Sequence, residues 1–132
     1  MKELLQRLEE AKQKVIPMGM CFQYVFDEAS RVGGTPAENR TKFYHATVDP
    51  RNGEWGEVAF PGQRKYSHAW FERDGMAYDW QMMEAHWGGP KYSGKGMPAD
   101  LFRKVYIPSE IREYTAEEIV LNSFRNRHKG PW

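Results

Sequence analysis

The chain has 132 residues and a single cysteine, which excludes an intrachain disulfide. It has almost no excess charge: 19 Lys and Arg stand against 18 Asp and Glu, for a net +1, so no overall field draws it to nucleic acid or an anionic membrane. No apolar run approaches the ~20 residues a membrane-spanning helix needs. The opening stretch Met-Lys-Glu-Leu-Leu-Gln-Arg-Leu-Glu-Glu has no apolar signal core. Repeats and low-complexity segments are lacking. So is metal-ligand spacing: His45, His68 and His86 with Cys21 could be imagined as a zinc site, but no pair stands at Cys-x-x-Cys or His-x-x-x-His distance. These absences predict a protein with no cofactor, no metal, and neither nucleic acid nor membrane as partner. A reducing, cytoplasmic setting is expected, where a free thiol persists.

What remains is a chain of 40% hydrophobic and 28% charged residues, ordinary for one globular domain over residues 1–132. Aromatics are plentiful at 14% and cluster around one hairpin and the loop after it. Residues 68–80 read His-Ala-Trp-Phe-Glu-Arg-Asp-Gly-Met-Ala-Tyr-Asp-Trp. Asp74-Gly75 suits a two-residue type I′ turn, because both positions need positive φ. The arms are then residues 66–73 and 76–82, with Arg73 opposite Met76, Phe71 opposite Tyr78, Trp70 opposite Asp79 and His68 opposite Gln81. Side chains alternate along a strand, and paired residues share a face. His68, Trp70, Glu72, Ala77, Asp79 and Gln81 fall on one face; Ala69, Phe71, Arg73, Met76, Tyr78 and Trp80 fall on the other. His68 and Asp79 become diagonal neighbours within reach of a hydrogen bond. A carboxylate there fixes the imidazole tautomer and leaves the other nitrogen to face a thiol.

The thiol is Cys21. Pro17 suits the start of a helix and Gly33-Gly34 its end, and between them Phe22, Val25, Phe26, Ala29 and Val32 recur at helical spacing. Cys21 falls in the first turn, where unpaired backbone N–H groups and the helix dipole favour a thiolate. The competing reading is a buried cysteine acting as a small hydrophobe. A thiol, an imidazole and a carboxylate that meet in space form a nucleophile with an oriented base.

Gly19-Met20-Cys21 opening an apolar helix, then His68-Ala69-Trp70-Phe71-Glu72, then a turn and Tyr78-Asp79, resembles the transglutaminase-like branch of the papain-like cysteine enzymes. The resemblance spans residues 17–82. It implies an α+β, papain-like core in which the cysteine helix packs on an antiparallel sheet. It also implies Cys21 as nucleophile, His68 as base and Asp79 as the group that orients His68. The activity implied is cleavage or transfer of an amide bond through a thioester, as in a peptidase, an amidase or deamidase, or a transglutaminase, on a peptide or protein substrate. The backbone N–H of Cys21 is one expected oxyanion donor; Gln23 and Tyr44 are the candidates for a second. Trp70 and Trp87 are the candidates for substrate contact.

Elsewhere, residues 2–14 read as an amphipathic helix with a Leu4, Leu5, Leu8 and Ala11 stripe. Residues 41–48 read as a strand, residues 57–60 as a weaker one, residues 87–98 as a long loop and residues 102–107 as a last strand. Thr115-Ala116-Glu117-Glu118 is a capping box opening a helix to about Arg127, with Ile119, Val120 and Phe124 as its apolar side. His45 reads as a strand histidine or a wall of the site. His86 reads as a surface residue or a substrate contact, and Glu72 as a packing-edge or salt-bridging group. Two other classes compete with the enzyme: a papain-like module that binds a peptide or protein without turnover, and a nucleic-acid accessory protein using the basic run 125–129.

Overall fold

The structure, a computed structural model, describes residues 19–56, 65–81 and 96–132. In chain order the elements are helix α1 (Gly19–Val32), strand β1 (Thr41–Val48), β2 (Tyr66–Arg73), β3 (Met76–Tyr78), β4 (Met97–Pro98), helix α2 (Ala99–Tyr106), β5 (Ser109–Tyr114) and helix α3 (Ala116–Asn126). Short 3-10 turns cover Pro36–Arg40 and Pro50–Asn52. The expected helix over 2–14 and the expected strand over 57–60 lie outside the described residues.

Asp74 and Gly75 take φ of 54° and 81°, the two positive values of a type I′ turn. They set the register of β2 and β3, with Arg73 opposite Met76, Glu72 opposite Ala77 and Phe71 opposite Tyr78. The ladder stops there. The second arm is three residues long rather than seven, so Trp70 and His68 have no ladder partner at Asp79 and Gln81. β1 pairs along the whole of β2, from Thr41–Arg73 to Val48–Tyr66. The sheet is antiparallel throughout, in the order β4-β3-β2-β1-β5.

Both faces of this sheet are covered, so the middle residues of its central strands are buried in succession instead of alternating between buried and exposed. One face carries Phe43, Ala69 and Phe71 against Cys21, Phe22, Val25, Ala29 and Val32 of α1 and Ala116 and Ile119 of α3. The other carries Tyr44, Ala46, Val48, Trp70 and Ala77 against Phe102, Val105 and Tyr106 of α2. Among the described residues the protein is thus an α+β fold of three helices on a five-stranded antiparallel sheet. No described helix is long and apolar enough to cross a membrane.

Three expectations are corrected. Residues 102–107 form no strand: Ala99–Tyr106 is helical, and Phe102, Val105 and Tyr106 at i, i+3 and i+4 bury one stripe of it. A short apolar run suits strand and helix alike, and the helical spacing decides this one. Ile107 then takes a left-handed conformation and its N–H reaches the Arg103 carbonyl at 3.0 Å, closing the helix. The loop expected over 87–98 ends in a strand, because Met97 and Pro98 pair with Ala77 and Met76; its residues before 96 lie outside the described ones. In α3 the buried residues are Ala116, Ile119 and Ser123, whereas Phe124 is 73% exposed.

The capping box is formed in both directions. Thr115 Oγ1 accepts from the Glu118 N–H at 3.1 Å, and Glu118 Oε1 accepts from the Thr115 N–H at 3.0 Å. Thr115→Ala is expected to cost about 1 kcal/mol, read as a lower urea midpoint; an unchanged midpoint would mean that water replaces the cap.

Candidate functional site

Because β3 ends at Tyr78, the edge of β2 from Trp70 back to Tyr66 has no β3 partner. The site is built at this edge. His68 projects from β2 to the α2 face, and its ring lies parallel to that of Tyr106, with centroids 5.0 Å apart and planes at 11°. Tyr66 meets the imidazole edge-on at 5.7 Å. Asp79, just past the ladder, brings Oδ2 to 2.6 Å from His68 Nε2 with both side chains fully buried. Tyr106 of α2 is fully buried beside this pair, and the charge of Asp79 reaches its hydroxyl.

Cys21 comes from the other layer. It is buried in the first turn of α1, and its thiol lies within hydrogen-bonding reach of His68. Nε2 is occupied by Asp79, so the nitrogen that faces the sulfur is Nδ1. Among the described residues no well-aligned hydrogen bond reaches Nδ1; nucleophile and base commonly stand this loosely until substrate tightens them. Burial alone lowers the proton affinity of His68. The hydrogen bonds and charges of Asp79 and Cys21 outweigh it and push the pKa up to about 9. The flanking phenols shift the other way from ionisation: burial, with the charge of Asp79 adding to it, holds both Tyr66 and Tyr106 neutral far above pH 7.

A fourth polar group completes the cluster. Gln81 is fully buried, and its Oε1 accepts from the Tyr66 hydroxyl at 2.9 Å. Among the described residues its Nε2 has no hydrogen-bond partner.

The structure therefore brings Cys21, His68 and Asp79 together, and it places the other expected site residues elsewhere. Gln23 Nε2 donates to Asp27 Oδ1 at 2.7 Å, one turn along α1. Two residues beyond Cys21 is roughly 200° around a helix, so Gln23 faces away from the thiol. Tyr44 donates to Glu113 of β5 at 3.1 Å, and β5 lies at the far edge of the sheet from the site. Trp70 is core: it stacks on Tyr44 at 5.2 Å and Phe102 at 4.9 Å, and its Nε1 donates to Glu72. Glu72 also accepts from Arg103 at 3.1 Å, which keeps it from competing with Asp79 for His68. Trp87 and His86 lie outside the described residues.

His45 pairs with Ala69 in the ladder and so faces away from His68. It cannot be a wall of this site, nor join His68 and Cys21 around one zinc ion. Phe22, Tyr114 and Trp132 surround its ring at 4.8 to 5.0 Å. Burial, with Arg112 adding to it, pushes its pKa down to about 4.

Sequence reasoning missed Tyr66, Tyr106 and Gln81 as members of the cluster. The hairpin register did put Gln81 on the His68 face. Tyr106 carried no signal while residues 102–107 read as a strand.

By fold the chain is an α+β protein with helices on both faces of a five-stranded antiparallel sheet. By its site it is one in which the only thiol, an imidazole and a carboxylate converge beside the sheet edge. Comparison with protein-family models, curated proteins and solved structures finds no match, so the chemistry of these residues carries the functional argument.

Proposed function

We propose that this protein is a cysteine-dependent acyl-transfer enzyme of the transglutaminase-like, papain-like type, acting on an amide bond of a peptide or protein. The observation that carries the reading is the buried 2.6 Å His68–Asp79 pair with Cys21 on its open side. A hydrogen-bonded carboxylate raises the proton affinity of the imidazole, which suits it to take the thiol proton at Nδ1. Cys21 Sγ then bonds to the carbonyl carbon. The tetrahedral species collapses to a thioester as His68 returns the proton to the leaving nitrogen. Water, deprotonated by the same imidazole, releases an acid; an amine in its place gives a new amide. The neutral phenols of Tyr66 and Tyr106 line this path as hydrogen-bond donors rather than as competing bases.

The test is acylation by p-nitrophenyl acetate followed by mass spectrometry of the intact and digested protein. One acetyl group per chain on Cys21, and none in Cys21→Ser, is the expected outcome. A chain that stays unacetylated counts against the enzyme.

A second reading has its own observation. Cys21, His68 and Asp79 expose no surface, as in a papain-like core kept for packing in a peptide- or protein-binding module. That module predicts a thiol inert to the ester and equally inert to iodoacetamide until the chain unfolds.

A further inference from the structure

We infer that Gln81 is the side-chain donor that meets the substrate's carbonyl oxygen as negative charge develops on it. The inference rests on the acyl-transfer reading above. Gln81 has no exposed surface, and among the described residues its amide is used at one end only: Oε1 takes the Tyr66 hydroxyl at 2.9 Å, while Nε2 has no partner. In the structure the Tyr66 hydroxyl donates to the carbonyl end of the Gln81 amide. The other end is an amide N–H with no exposed surface. An unpaired buried donor is costly to leave, and protein interiors keep few of them without a reason.

Its position supplies the reason. Gln81 stands two residues after Asp79 and accepts from a tyrosine whose ring lies edge-on to His68 at 5.7 Å, the same imidazole that Asp79 holds at 2.6 Å. The orphan donor thus belongs to the same cluster as the nucleophile. A carbonyl attacked by Cys21 develops an oxyanion there, and a preorganised N–H stabilises it without reorganising. The two side chains first considered for this role, Gln23 and Tyr44, are committed to Asp27 and Glu113.

Two rates on the same thiol test the inference. Acetylation of Cys21 by p-nitrophenyl acetate passes through an oxyanion; alkylation by iodoacetamide displaces iodide at a saturated carbon and does not. Gln81→Met keeps the side chain's length and removes the donor. It is expected to slow acetylation by about 10²–10³-fold and to leave alkylation nearly unchanged. Gln81→Asn, which draws the amide back by one methylene, serves as the second variant should methionine at 81 not fold, with the same selective loss expected. Unchanged acetylation, or an equal loss of both rates, overturns the role of Gln81 and leaves the acyl-transfer reading standing. A native protein that iodoacetamide alkylates but the ester never acetylates overturns both.

Discussion

Asp79→Asn is expected to lower acyl transfer by about 10³–10⁴-fold in a protein that still folds. The effect comes from what a carboxylate cannot do. Ionised, it only accepts, so the proton of neutral His68 must sit on Nε2, 2.6 Å away, and Nδ1 is left as a lone pair facing Cys21. An asparagine amide can turn its N–H towards Nε2 instead. The ring proton then moves to Nδ1, where it blocks transfer from the thiol. Asparagine also withdraws the negative charge that helps hold the His68 pKa near 9, so the imidazolium formed during attack loses its counter-charge. Fold should survive because Asn matches Asp in size and shape and keeps a carbonyl oxygen in the fully buried position. The measurement is kcat/KM with an activated ester across pH, beside circular dichroism of both proteins. A loss smaller than tenfold would remove Asp79 from the mechanism and leave it a packing role.

The same residues show how far the sequence could be read. Asp74-Gly75 announced its turn because few pairs tolerate two positive φ values, and once that turn is fixed the faces of His68 and Asp79 follow from alternation alone. Cys21 was placed by helical spacing between a proline and a glycine pair. The length of the second arm was not legible: nothing local in Tyr-Asp-Trp-Gln says that the ladder stops at Tyr78. Yet that stop is what leaves the β2 edge without a β3 partner where the site forms. β5 was invisible for a different reason. Ser109–Tyr114 is an exposed edge strand with no buried face, and it pairs with β1 through a bulge between His45 and Thr47, where Glu110 takes a φ of 52°. Period-two alternation has no core to report on in such a strand. α2 was misread because a six-residue run with four aromatic or β-branched residues fits either period, and only the opposite sheet face, unknown in advance, decides between them. Gln81 and Tyr106 became site residues through that packing, and no local signal carries it.

The protein's stability is expected to peak near pH 6.5 and to fall on both sides, for reasons that lie on opposite faces of the sheet. On the alkaline side, His68 has a folded pKa of about 9 against 6.5 for an ordinary histidine. The folded chain therefore binds this proton more tightly than the unfolded one. Its contribution is fully present below pH 6.5 and disappears as pH rises through 9. At 1.36 kcal/mol per unit the loss is on the order of 3 kcal/mol. On the acid side, His45 has a folded pKa of about 4 in its aromatic cage. Here the unfolded chain takes the proton first, so stability is present above pH 6.5 and is lost as pH falls through 4, by a similar amount. Glu28 adds to the acid limb: burial opposes its ionisation, but Arg31 and Arg73, each 2.5 Å away, outweigh that and hold its pKa below the usual value. For a domain whose whole stability is about 5–15 kcal/mol, either limb is large. Urea midpoints at pH 4.5, 6.5 and 9 check the curve, and two variants assign its limbs. His45→Phe, which keeps the ring in its cage, should flatten most of the acid side, leaving what Glu28 supplies. Asp79→Asn should flatten the alkaline side, because the carboxylate that favours the proton on His68 is gone. A native midpoint that stays level from pH 6.5 to 9 would mean that His68 does not gain its proton affinity on folding, and the pairing that makes it a base for Cys21 would lose its energetic support.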